Sequence, residues 1–145
     1  NDLFEKKQLG GCADFALLHV ALFRTFYIPS RIVITIDKKW YEEKKDEILY
    51  IPHGHTFVEV YINNSWHLID PAFFILFKNH KVDCVNYPRN EIFLLRGKDF
   101  WEMGIRNNSE LIDFINKIDA KFNNKCCEVY QKPIFRVLKN EVIYY

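Results

Sequence analysis

Charge of one sign, a cysteine framework and long apolar runs are all missing from this 145-residue chain, and each absence removes a class of function. The 20 Lys and Arg are balanced by 19 Asp and Glu, a formal net charge of +1. That balance gives no electrostatic reason to expect nucleic acid or an anionic membrane as partner. The longest charged stretch, Lys38 to Glu47, mixes both signs and reads as a solvated loop or a short surface helix. No apolar run approaches the ~18 residues of a membrane span, because His19, Arg24 and Lys78 interrupt the longest ones, so no membrane insertion is expected. The four cysteines, at 12, 84, 126 and 127, lack the dense spacing of a small secreted scaffold. Adjacent Cys126 and Cys127 reach disulfide geometry only with strain, so reduced thiols are expected, a usage that leans towards a reducing compartment such as the cytoplasm. The sequence opens on Asn1 rather than Met, so the compartment stays open. Repeats, low-complexity tracts and Pro/Gly/Ser linkers are also lacking, and a single domain over 1–145 is the simplest organisation.

What is present is apolar and aromatic. Hydrophobic residues make up 49% and aromatics 17%, ample for one packed core. After Gly10-Gly11, the run from Cys12 to about Tyr27 is rich in Ala, Leu and Phe and stops before Ile28-Pro29, as a helix does. Beyond Cys12 its only clearly polar members are Asp14, His19, Arg24 and Thr25, which predicts a helix covered over most of its circumference. Arg31 to Ile36 is β-branched and reads as a strand. His55 to Ile62, the pair Asn63-Asn64, and Ser65 to Asp70 form a hairpin signature. A short strand over Glu91 to Leu95, a helix over about 110–122 capped near Asn108-Ser109, and a hairpin over Ile134 to Tyr144 around Lys139-Asn140 complete the α+β reading.

The candidate chemistry begins at Cys12. A thiolate at a helix N-terminus gains from the unpaired N–H groups and the positive dipole end, which lowers its pKa. A thiol nucleophile also needs a base within hydrogen-bond reach and a group to orient that base. His19 lies on nearly the same helix face as Cys12 but about 10 Å along the axis, too far to take its proton. His53 sits in the loop before the hairpin, and His80 in a Phe/Lys-rich segment without a partner pattern. His55 differs because the hairpin supplies a carboxylate. If Asn63-Asn64 are the two turn residues, Ile62 faces Ser65, Tyr61 faces Trp66, Glu59 faces Leu68 and Phe57 faces Asp70. Asp70 then lies diagonal to His55 on one sheet face, and His67 points the other way. A three-residue turn reverses that parity.

These residues resemble the transglutaminase-like superfamily. Three stretches carry the likeness: Gly10-Gly11-Cys12-Ala13-Asp14-Phe15-Ala16, Ile28-Pro29-Ser30-Arg31, and His55 to Tyr61 running into Trp66-His67-Leu68-Ile69-Asp70-Pro71. The resemblance implies a papain-like core, with a buried N-terminal helix packed against an antiparallel sheet. It also implies a Cys-His-Asp triad of Cys12, His55 and Asp70 acting on a peptide or protein amide through an acyl-enzyme, with no cofactor. Hydrolysis is the favoured outcome. A protein-glutamine acyltransferase, deglycosylation of asparagine-linked glycans, and a catalytically silent binding module of the same fold are the alternatives. The resemblance further implies an oxyanion site at the Cys12 N–H, with a second donor upstream that falls on Gln8; Trp40, or residues before Asn1, are the alternatives. Arg31 reads as an ion-pair partner for Asp14 or Glu59. The run Phe73 to Phe77 departs from the small polar residues that usually follow the family's Asp-Pro, which implies a covered or unusually apolar cleft. A metal site drawn from His53, His55, His67, His80, Cys84, Cys126 and Cys127 lacks the paired spacing of zinc ligands, and no acidic cluster suits calcium.

Overall fold

The computed structural model describes residues 9–44, 53–117, 135–138 and 141–144. Helix α1 (Cys12–Thr25) begins directly after the glycine pair, with Gly11 extended at its N-cap. It ends where Tyr27 takes φ 58 and the N–H groups of Phe26, Tyr27 and Ile28 fold back onto the carbonyls of Phe23 and Arg24. Strand β1 (Ser30–Asp37) follows, then α2 (Lys38–Lys44), so the charged stretch forms a short helix with a Lys39–Glu43 pair one turn apart. The hairpin is β2 (Gly54–Ile62) and β3 (Ser65–Asp70). It is followed by β4 (Ile75–Phe77), β5 (Asn86–Tyr87), a 3-10 turn over Pro88–Asn90, and β6 (Glu91–Gly97). Helix α3 (Asn108–Lys117) and the strands β7 (Phe135–Leu138) and β8 (Glu141–Tyr144) complete the described elements.

All eight strands join one sheet in the order β5-β6-β1-β2-β3-β4-β7-β8, with every described pairing antiparallel. The mixed helix and antiparallel-sheet class, with an N-terminal helix on the sheet, is what the sequence implied. β1 lies between β2 and β6 and is covered on both faces, which explains its weak alternation. On one face Ile32, Ile34, Ile36 and Val58 pack with Ala16 and Val20 of α1. On the other, Val33, Phe57, Leu68, Phe77 and Tyr87 form a second core.

Three expectations change. The helix α1 is covered around its circumference over Cys12 to Val20, where every residue is buried or half-buried, but its last turn opens to solvent, with Leu22 50% exposed and Ala21, Arg24 and Thr25 also at the surface. The cap of α3 is Asn107 rather than Asn108-Ser109, with Asn107 Oδ1 accepting the Glu110 N–H at 3.0 Å and Glu110 reaching back to the Arg106 N–H. The reduced-thiol expectation fits Cys12, which is free, but not buried Cys84, which is disulfide-bonded. Folding makes that contact, and spacing along the chain cannot reveal it. The rest of the helix expected to 122, the turn at Lys139-Asn140, and Cys126 and Cys127 also lie outside the described residues. Among the described residues no helix is long and apolar enough to cross a membrane.

Candidate active site

The hairpin register follows from its turn. Asn63 and Asn64 take φ 51 and φ 60, the left-handed pair that closes a two-residue type I′ loop and that asparagine tolerates. Ile62 therefore pairs with Ser65, Tyr61 with Trp66, Glu59 with Leu68 and Val58 with Ile69. Asp70, at the end of β3, and His55, at the start of β2, meet across the diagonal, with His55 Nε2 2.8 Å from Asp70 Oδ1. Both are buried. Oδ1 also accepts the Phe73 N–H at 3.3 Å, an Asx-type turn that fixes the chain beyond Asp70-Pro71.

Cys12 approaches from the other side. Its Sγ lies 3.7 Å from Thr56 Oγ1, the residue after His55, which places the thiol beside the His55 imidazole. Asp70 occupies Nε2, which leaves Nδ1 as the imidazole nitrogen for the thiol. The His55 hydrogen bond is the strongest influence on Cys12 and lowers its pKa against the opposing push of burial, with Thr56 helping from its hydroxyl and its N–H. For His55 burial is the largest single influence and acts downward. Hydrogen bonds and charges from Asp70 and Cys12 together outweigh it and raise the pKa to about 9. Both shifts favour the thiolate–imidazolium pair. At the helix start no side-chain hydrogen bond among the described residues caps the helix, and the Asp14 N–H returns to the Gly11 carbonyl at 3.1 Å.

Gly54 is demanded by this arrangement. A Cβ there falls 2.2 Å from the Thr35 carbonyl oxygen, so only glycine lets β2 run this close to β1 just before His55. Thr35 in turn donates its hydroxyl to the His55 carbonyl at 3.1 Å.

Four neighbours line the site, and two of them, Arg89 and Glu91, carry no sequence signature that marks them. Phe73 sits over His55 with ring centroids 5.9 Å apart, and Phe74, at φ 54, meets Phe15 of α1 edge-on at 6.2 Å. Phe73 and Phe74 are 40% and 48% exposed, so the start of the apolar run after Asp-Pro forms an aromatic rim, while Phe77 at its end enters the second core. Arg89 reaches from the 3-10 turn to Asp70 Oδ2 at 3.7 Å. Buried Glu91 begins β6, and its Oε2 has no hydrogen-bond partner among the described residues. Only the pairing of β6 with β1 brings it near His55.

The remaining candidates lie elsewhere. His19 Nδ1 bonds the Phe15 carbonyl oxygen, His67 turns to Ser65 and Ile62 on the opposite face from Asp70, and His53 is exposed. Arg31 pairs with Glu59, and Asp14 instead accepts the Gly10 N–H at 2.6 Å. Glu59 is wholly buried and also receives His80, Arg96 and Tyr87, a charge network under the sheet that accounts for His80. Trp40 packs its side chain against the helix-side core, and Gln8 lies outside the described residues. Among the described residues no three or more His, Cys, Asp or Glu are grouped to hold a metal.

A cysteine opening a helix, laid against a histidine and an aspartate on adjacent antiparallel strands, defines the class of fold in which a thiol and an imidazole are juxtaposed at a sheet end. Residues 1–71 match the family model of the transglutaminase-like superfamily, and on that match this half of the chain belongs to it. The matched stretch runs from the segment before Cys12 through Asp70. No curated protein and no solved structure matches the chain.

Proposed function

We propose that the protein is a cysteine-dependent amide hydrolase of peptidase or amidase type, with Cys12 as nucleophile, His55 as general base and acid, and Asp70 as the group that orients His55. The observation that supports this reading is the His55 imidazole held 2.8 Å from a buried Asp70 carboxylate, with the free Cys12 thiol on the neighbouring Thr56. The Cys12 thiolate attacks the amide carbonyl carbon, and the imidazolium gives its proton to the departing amine as the C–N bond breaks. The oxyanion of the tetrahedral intermediate lies at the uncapped start of α1, where the Cys12 N–H is a donor. Water, deprotonated by neutral His55, then cleaves the thioester and returns the thiol. The substrate is a peptide or protein amide. An amine in place of water at the second step makes the same site an acyltransferase.

The test is the pH dependence of Cys12 alkylation by iodoacetamide, followed on the modified peptide by mass spectrometry, in wild type, His55→Ala and Asp70→Ala. Labelling is expected to be fast well below pH 8, and to slow at pH 6 by roughly tenfold for each pH unit that the thiol pKa rises in the variants. A profile that follows an ordinary thiol near pH 8.5, indifferent to both substitutions, would sink the reading and leave a silent binding module. If the profile holds, amide substrates assayed with and without added amine separate hydrolysis from transfer.

A further inference from the structure

We propose that Arg89 is a positioning residue for the His55–Asp70 pair: it holds the carboxylate edge that His55 does not use and fixes Phe73 over the imidazole. The inference rests on the reading of Cys12 and His55 as nucleophile and base, and adds a residue outside the stretch that matches the family.

Asp70 divides its two oxygens. Oδ1 takes the His55 Nε2 at 2.8 Å and the Phe73 N–H at 3.3 Å, while Oδ2 faces Arg89 Nη1 at 3.7 Å. The terminal torsion of an aspartate is broad, so a carboxylate held on one edge alone can rotate and weaken its bond to an imidazole. A cation on the second edge restrains that rotation. The same guanidinium lies 4.0 Å from the centroid of the Phe73 ring, and that ring lies beside His55. Arg89, Phe73 and His55 therefore form one layered contact above the hydrogen bond, excluding water where a low local dielectric strengthens it. The backbone is bent to this end. Arg89 has φ 68 and ψ 26, and Asn90 φ 61, between extended Tyr87 and Glu91. A long side chain seldom takes the left-handed region, and here that turn accompanies a side chain that reaches across to β3.

The other groups facing this corner are Cys12 from α1, Asp37 at the end of β1 opposite Glu91, and Glu91 itself on β6. Their presence gives the proposal a decisive sign. If Arg89 acted only as a point charge, removing it would leave the Asp70 charge stronger, favour the imidazolium and move thiolate formation to lower pH. If it positions, removing it frees the carboxylate, the imidazolium loses its partner, and thiolate formation moves to higher pH.

The experiment uses the full chain: pH profiles of Cys12 alkylation by iodoacetamide for wild type, Arg89→Gln, Arg89→Lys and Phe73→Leu, with melting temperatures alongside. The midpoint is expected to rise by about one pH unit in Arg89→Gln, roughly tenfold slower labelling at pH 6. Arg89→Lys, which keeps the charge but not the planar face, falls between, and Phe73→Leu moves the same way. A midpoint unchanged or lowered in the Arg89 variants overturns the proposal, even where melting falls, because a purely structural role does not move the profile. Should Arg89→Gln fail to fold, Arg89→Lys and Phe73→Leu decide by the same criterion. An ordinary-thiol profile in wild type overturns the hydrolase reading and this one with it, whereas a low-pH wild-type profile with unmoved variants overturns Arg89 alone.

Discussion

One methyl group at Gly54 is expected to separate His55 from Asp70 without altering either side chain. The Cβ of Gly54→Ala falls 2.2 Å from the Thr35 carbonyl oxygen, 3.2 Å from its carbon and 3.3 Å from Ile36 Cα. All three are backbone atoms of β1, which is paired on both sides, so no flexible side chain can yield. Ordinary contact begins near 3.4 Å, so the start of β2 has to retreat by about 1 Å. His55 is the next residue and pairs with Thr35. A shift of that size takes its 2.8 Å bond to Asp70 out of hydrogen-bonding range. Crowding of this kind costs roughly 1–3 kcal/mol, which for a domain of this size lowers the melting temperature by roughly 2–4 °C per kcal/mol. A displacement of about 1 Å at a reacting group costs on the order of 100-fold in rate. Thermal melting and the iodoacetamide rate at pH 6 measure the two effects on the same samples. A variant that melts with wild type and labels Cys12 at the wild-type rate refutes the claim that β1 and β2 meet too closely here for a side chain.

Two further outcomes follow from buried carboxyl groups. Burial is the largest influence on Glu59 and pushes its pKa up, but His80, Arg96 and Arg31 outweigh it and hold the pKa at about 2, below the usual 4.5. Its stabilising contribution is complete above pH 4.5 and is lost as pH falls through 2. Glu59→Gln breaks a buried network and is expected to cost about 3–5 kcal/mol in urea denaturation at pH 7, and a loss under about 1 kcal/mol contradicts the network's role. Glu91 goes the other way: burial raises its pKa from 4.5 to about 7, so the folded state holds a proton that the unfolded state releases. Wild-type stability should therefore fall as pH rises from 4.5 to 7, and Glu91→Gln should remove that slope. The gain at pH 8 is on the order of 1 kcal/mol after solvent screening, and identical slopes in the two proteins rule this out.

Much of the site could be read before any fold was known, because the hairpin encodes its own geometry. Two asparagines between alternating strands specify a two-residue turn, the turn specifies the register, and the register sets Asp70 diagonal to His55. The helix start at Cys12 was legible from the glycine pair and the apolar run that follows it. The open last turn of α1 was not, since composition reports how many apolar residues a helix carries but not where its cover ends. Arg89 and Glu91 were illegible for a different reason. They come 34 and 36 residues after His55, on the far side of β1, and reach the site only through the β6–β1 pairing. Local periodicity cannot express a contact of that kind.

Two buried carboxyl groups stand at one end of the sheet, and their surroundings explain why only one of them suits a histidine base. Asp70 has two hydrogen-bond donors on Oδ1, an imidazole and an amide, and a guanidinium ion-paired at 3.7 Å to Oδ2. A carboxylate held in place on both edges is what an imidazolium needs beside it. Glu91 has an unpartnered Oε2 and is held neutral up to about pH 7, so over that range it adds no comparable charge near His55. At higher pH its ionisation adds a second negative charge near the same imidazole and favours the thiolate–imidazolium pair further, since the imidazolium and the Glu91 carboxylate stabilise each other. The alkylation profile of Glu91→Gln should therefore match wild type below pH 7 and differ only above it. A difference that appears at pH 5 assigns Glu91 a charge there, against the burial that keeps it protonated.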